Sequence, residues 1–262
     1  MKLLNLVALS LSLLPAVSGA PLDTSGPSPL VFQRQNQPAN QLLSYIFQLF
    51  PVNVALRDAQ GLLTIAEKAF ALLAGFNTVE NDVETGVCGD IVVIFARGTT
   101  EPGNVGSLVG PPLFGALRKR MGANGGQTLA VQGVDRYDAS VTAYLQGGDA
   151  SGSQQMADLV SKAMKQCPSS KIVMSGYSQG GQLVHNAARL LPASTMAAVS
   201  SVVIFGDPYS RFPVQGASPG KVRIFCHLGD DICVDGDIIL LQHLTYFMDV
   251  DEAATYILAN AK

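Results

Sequence analysis

Five short apolar runs punctuate the chain after residue 87: Ile91–Ala96 (IVVIFA), Thr128–Gly133, Lys171–Ser175, Ser201–Phe205 and Val222–Cys226. Each is too short for an ordinary helix. The clearest, IVVIFA, is apolar at every position, the pattern of a strand buried on both faces. Between them lie longer stretches with helical patterning, Pro112–Met121, Gly152–Cys167 and Gln182–Leu191, and Asp249–Ala261 closes the chain as a helix. Strands alternating with helices predict an α/β fold. We expect an α/β-hydrolase-like three-layer sandwich, with a central, mainly parallel sheet and helices on both faces. Ligands bind such sheets at the carboxyl ends of the strands. The loops that begin at Arg97, Gly176, Asp207 and His227 all lie there.

The pattern ahead of residue 87 is different. Met1–Ala20 carries a lysine, an apolar run and small residues at its end, so it reads as a secretory signal peptide cleaved between Ser18 and Ala20. Residues 21–40 are rich in Pro, Ser and Gln and read as disordered or as a pro-segment. Gln41–Phe50 and Val54–Gly75 read as helices separated by Pro51, with Gly75 as a C-terminal stop. The first is apolar nearly all round, so it must cover something. Asn77–Gly86 is polar and acidic, and we expect a linker. The predicted organisation is therefore signal peptide 1–20, pro-segment 21–40, helical extension and linker 41–86, and a catalytic domain 87–262.

Composition narrows the class. The 262 residues carry a net charge of −3, which leaves no basic footprint for nucleic acid. Charged residues are only 14%, which suits work at an apolar interface. No run after the leader reaches the ~18 residues that a membrane span needs. Secretion makes Cys88, Cys167, Cys226 and Cys233 candidates for disulfides, in any of three connectivities. Their spacing does not suit a metal, and no cofactor is expected.

The chemistry gathers at Lys171–Gly181, KIVMSGYSQGG: a strand, then Gly176-Tyr177-Ser178-Gln179-Gly180, then a helix. Strand, G-x-S-x-G and helix form the context of a nucleophile elbow. The glycines remove Cβ atoms from a sharp turn that exposes the Ser178 hydroxyl. The amide of Gln179, at the positive end of the helix, can face a developing oxyanion. A serine nucleophile needs a base, and the base needs an acid to orient it. Of the 3 histidines, His185 lies two turns into the elbow helix and His227 precedes most candidate acids. His243 satisfies the order serine, acid, histidine. Asp207, Asp230, Asp231, Asp235 and Asp237 all lie between Ser178 and His243. Asp230 ranks first, because a disulfide across its loop would hold it rigid, followed by Asp231 and then Asp207.

Taken together, Ala96-Arg97-Gly98-Thr99-Thr100-Glu101, Gly176-Tyr177-Ser178-Gln179-Gly180, Gly229-Asp230-Asp231-Ile232-Cys233 and His243-Leu244-Thr245-Tyr246 resemble the fungal cutinases, from about Cys88 to the end. The resemblance implies Ser178 as nucleophile, Asp230 as acid and His243 as base. It implies an oxyanion hole from the amides of Thr99 and Gln179, helped by the Thr99 hydroxyl, where the family often has serine. It also implies the disulfides Cys88–Cys167 and Cys226–Cys233. The expected function is that of a secreted, monomeric serine esterase acting on cutin-type polyester or lipid-like esters at an apolar polymer surface. An acetylxylan esterase shares this fold and triad, but the apolar run Ile238–Leu241 before His243 argues against it. A surface-binding protein or elicitor with a vestigial site is a third reading, and the complete Ser/Asp/His set argues against that. The helices of 41–75 depart from the simplest members of the family. They are expected either as a lid over Ser178 or as a permanent layer on the far side of the sheet, and we favour the lid.

Overall fold

A computed structural model of the chain describes residues 39–123 and 125–261. The leader and most of the pro-segment lie outside the described residues. The elements, in order, are α1 (Ala39–Leu49), β1 (Val54–Ala55), α2 (Leu56–Ala74), β2 (Ile91–Ala96), α3 (Gly110–Ala123), β3 (Leu129–Gly133), α4 (Val141–Leu145), α5 (Ala150–Gln166), β4 (Lys171–Tyr177), α6 (Gln179–Leu190), α7 (Ala193–Ala198), β5 (Ser201–Phe205), β6 (Val222–Phe225), β7 (Ile238–Ile239) and α8 (Val250–Asn260).

The five apolar runs pair as one parallel sheet in the order β3-β2-β4-β5-β6. Alternate residues of each strand feed two cores. Ile91, Val93, Phe95, Val173, Val203 and Phe205 meet Phe114 and Leu117 of α3 and Ile257 of α8. Val92, Ile94, Met174, Val202 and Ile204 meet Met156 and Val160 of α5 and Leu183 and Val184 of α6. The result is the three-layer sandwich expected, and β2 is buried at all six positions because helices cover both faces. Disulfides link Cys88 to Cys167, tying the entry of β2 to the end of α5, and Cys226 to Cys233, closing the loop after β6.

The N-terminal segment is part of the first core. Leu42, Ile46 and Phe50 from the α1 region pack with Leu56, Leu63 and Phe70 of α2. Phe70 is fully buried and meets Tyr45, Phe50 and Phe76 edge-on at ring distances of 6.4, 5.9 and 6.0 Å. Helix α2 stops at Gly75, whose φ of 69° suits a residue without Cβ. Val54 and Ala55 were expected within this helix. They form β1 instead, paired antiparallel with Ile239 and Ile238 of β7. Ile238 and Ile239 thus pair with the N-terminal segment, and the Ile239 side chain joins the first core.

Asn77–Gly86 departs from the free linker expected. Asp82 accepts the Val131 N–H through its carboxylate at 2.8 Å and donates its own N–H to the Val131 carbonyl at 3.0 Å. Gly133 donates to the Glu80 carbonyl and Asn104 holds the Glu80 N–H, both at 2.9 Å, while Val83 is fully buried. The Asp82 carboxylate and the backbone groups of Glu80, Asp82 and Glu84 are spent on the open edge of β3, which a parallel sheet must cover.

Candidate active site

Ser178 follows directly on β4 with φ 55° and ψ −120°, a strained conformation for a residue with a side chain, held by its N–H on the Phe205 carbonyl at 2.9 Å. A Cβ on Gly176 would run into the Gly180 carbonyl, and one on Gly180 into the carbonyl of Ala96. The turn therefore brings β4, α6 and the end of β2 closer than any side chain permits. Gly206, beside Ser178 at the end of β5, is equally constrained. A Cβ there would stand 2.7 Å from His243 Cε1. That bare backbone leaves room for the His243 ring.

His243 lies on the 3-10 segment Leu241–Met248 and is 2% exposed. Its Nδ1 is 2.8 Å from Asp230 Oδ2, its ring stacks on Tyr177 at 5.0 Å, and its carbonyl accepts the Tyr177 hydroxyl at 2.9 Å. Asp230 Oδ1 accepts the Ile232 N–H at 3.1 Å. Burial pushes the Asp230 carboxyl up, but the charge and hydrogen bond of His243, with the Tyr246 and Ile232 donors, outweigh it and hold it below the usual carboxylate range. Among the described residues Ser178 Oγ makes no hydrogen bond with His243. Such bonds are often loose without substrate and tighten in the Michaelis complex.

The other acids are spent elsewhere. Asp207 Oδ2 sits 2.9 Å from His185 Nε2, both side chains wholly buried, and its Oδ1 accepts the Tyr209 N–H. His185 is thus one half of a buried pair on the elbow helix. Asp231 Oδ2 accepts the Ile238 N–H at 2.9 Å. Asp237 pairs with Arg57 at 3.2 Å on the surface, and Asp235 takes the left-handed position that ends a 3-10 turn.

Thr99 and Gln179 face each other across the elbow. The Gln179 side-chain amide donates to Thr99 Oγ1 at 3.0 Å and to the Ser140 carbonyl at 2.9 Å, leaving the Thr99 hydroxyl proton unspent on that contact. Neither backbone N–H of this pair donates within the described residues. Gln179 opens α6, where the first amides have no intrahelical partner. The loop is braced from beneath by Glu101, which is buried. Its carboxylate accepts the N–H groups of Gly98, Ser107 and Leu108, each at 2.8 Å, and Arg97 Nε donates to its carbonyl at 2.8 Å. Sequence reasoning missed Glu101 and Tyr246 as site residues, although both stand inside the short motifs quoted above.

The N-terminal segment reaches this site. Glu67 of α2 is 3% exposed and its Oε1 lies 3.0 Å from Thr100 Oγ1, next to Thr99. Thr100 itself has φ 67°. With β1 paired to β7 a few residues before His243, α2 touches both loops that frame Ser178.

A protein-family model described as Cutinase matches residues 87–261. The chain belongs to the cutinase family. It is 51% identical over 200 residues to "Cutinase pbc1" of Pyrenopeziza brassicae, covering 76% of this chain and 95% of that one. It is 44% identical over 232 residues to a cutinase of Hypocrea jecorina, 88% and 90% of the two chains. Among solved structures, a Trichoderma reesei cutinase in complex with a C11Y4 phosphonate inhibitor superposes with a TM-score of 0.71 at 44% identity, covering 85% of this chain and 98% of that one. As a cutinase-family member the protein is a serine carboxylic-ester hydrolase. Among the described residues no helix is long and apolar enough to cross a membrane.

Proposed function

We propose that Ser178, His243 and Asp230 are the nucleophile, base and acid of a secreted enzyme that cleaves cutin-type aliphatic polyester. The observation that carries this reading is the buried Asp230–His243 bond of 2.8 Å, set over bare Gly206 beside the strained Ser178. His243 Nε2 takes the Ser178 proton as Oγ attacks the ester carbonyl. The Thr99 and Gln179 amides, with the Thr99 hydroxyl, hold the oxyanion of the tetrahedral intermediate. His243 then gives the proton to the departing alcohol oxygen, leaving an acyl-serine. Water enters, loses a proton to His243, and releases the acid while Oγ regains its proton. Ser178→Ala is expected to abolish hydrolysis of a soluble butyrate ester without changing the melting temperature. Retained turnover would refute the assignment. A profile over acetyl, butyrate and long-chain esters, on soluble and insoluble substrates, separates a cutinase from an acetylxylan esterase, which would prefer acetyl.

Residues 39–75 are proposed as a lid. Their inner face docks at the Thr99–Thr100 loop and at β7, while Leu62, Ile65 and Leu72 on the outer side of α2 and Phe47 of α1 are exposed. A helix apolar on both sides is suited to leaving one apolar partner for another at a polyester surface. The test is a shortened chain beginning at Asn77, upstream of the segment bonded to β3. It is expected to be more active than the full chain on soluble esters and indifferent to detergent. Equal activity of the two in plain buffer would rule the lid out.

A further inference from the structure

We infer that Tyr246 is a positioning residue for the reaction: its hydroxyl fixes the carboxylate of Asp230 and shares the charge that Asp230 presents to His243. This rests on the triad reading above. The Tyr246 side chain is fully buried, edge-on to His243, Tyr177 and Phe205 at 6.0, 6.2 and 6.3 Å. Its oxygen lies 2.7 Å from Asp230 Oδ2 and 2.9 Å from the backbone nitrogen of His227. A phenol has one proton. The His227 N–H can only donate, so the Tyr246 oxygen accepts there and its proton is left for Asp230. Cys233 Sγ, 3.5 Å away, is in a disulfide and has no proton to offer.

Asp230 Oδ2 therefore receives two donors, the imidazole Nδ1–H and the phenol. The Ile232 N–H holds Oδ1 and the imidazole holds Oδ2. The phenol adds a second donor on Oδ2, so that oxygen's charge is divided between Tyr246 and His243. The phenol is fixed in turn. The His227 ring stacks on it at 4.2 Å and 20°, and its nitrogens are held by the Gln242 carbonyl at 2.8 Å and Asp249 Oδ2 at 2.7 Å. The local geometry explains the spacing: a 3-10 segment turns every three residues, so His243 and Tyr246 share one face. Burial and the Asp230 charge keep the phenol protonated throughout the working range. Other titratable groups near Asp230 are the Tyr177 and Tyr144 phenols and Asp231, Asp235 and Asp237 of its own loop, with Asp249 behind Tyr246. Of all these, only His243 and Tyr246 bond its carboxylate through side chains that titrate.

The test is the pH profile of kcat/KM for a soluble butyrate ester. In Tyr246→Phe, Asp230 loses a donor, its charge is less shared, and it stabilises the imidazolium more strongly. The acid limb is expected to move up by about half a pH unit, and kcat to fall about tenfold with KM unchanged. Replacing Tyr246 by 3-fluorotyrosine keeps the shape and strengthens the donor, and the limb should move the other way. If the phenylalanine variant does not fold, the fluorotyrosine protein carries the test alone. A limb unmoved in the fluorotyrosine protein, or unmoved with wild-type kcat in Tyr246→Phe, overturns the proposal. Asp230→Asn separates the two readings. Its inactivity with a wild-type-like Tyr246→Phe sinks only the role of Tyr246, whereas an active Asp230→Asn sinks the triad.

Discussion

Glu67→Gln tests how the proposed lid would be held shut. Thr100 has one hydroxyl proton, shared between two acceptors, the Thr99 carbonyl at 2.6 Å and Glu67 Oε1 at 3.0 Å. The docked helix thus buries the Glu67 carboxyl with only a shared donor. Burial above all, then the neighbouring Glu101, push its carboxyl well above the ordinary range, against the Thr100 bond and the more distant Arg97 charge; the Tyr177 phenol also faces it. In an open lid Glu67 returns to water and to an ordinary value. Closing therefore takes up a proton. Its contribution to closure is complete below the ordinary glutamate range and is lost as pH rises toward the raised value. Across that window linkage sets a limit of one proton, so the open-to-closed ratio rises up to about tenfold per pH unit, ~1.4 kcal/mol. Glutamine has nearly the same shape, can accept the Thr100 hydroxyl and does not titrate. The readout is the ratio of activity with detergent to activity without it, on one soluble ester, at a series of pH values; the chemistry cancels from the ratio. Wild type should show a ratio that falls as pH rises, and Glu67→Gln a ratio that stays high. Parallel curves for the two proteins would refute the reasoning.

Three further outcomes follow from the same geometry. Asp207→Asn strips the buried partner from His185 and should cost about 3 kcal/mol, read as a lowered melting temperature, while the folded protein keeps its kcat; a loss of kcat without a loss of stability would mean that Asp207 belongs to the chemistry. Selective reduction of Cys226–Cys233, a loop of sequence separation 7, should remove about 2–3 kcal/mol and loosen Asp230, so that activity falls at denaturant concentrations where the sheet is still intact by circular dichroism. Phe70→Ala empties the aromatic cluster under α2 at a cost of about 3–5 kcal/mol, which should raise detergent-free activity; unchanged activity and stability would show that the cluster does not hold the segment down.

The residues that speak through local chemistry were legible in the sequence. IVVIFA could only be a strand covered on both faces, because six consecutive apolar residues leave no side for water. Gly176, Ser178 and Gly180 announce an elbow because the turn leaves no room for Cβ atoms. The chain order of Ser178, Asp230 and His243 narrowed the candidates. What it left open were matters of distance between parts remote along the chain. Asp207 and Asp230 are both loop acids after a strand, and only the packing of α6 puts His185 against the first and the Leu241–Met248 turn puts His243 against the second. Asn77–Gly86 has the composition of a linker, since the same polar groups that suit water also suit the open edge of β3. Val54–Ala55 fits a helical pattern and forms a strand because β7 offers it free backbone groups. Glu67 is an ordinary helix glutamate by sequence. It becomes a buried acid because tertiary packing sets α2 on the Thr99–Thr100 loop, a contact between residues 33 apart in the chain that no local pattern encodes.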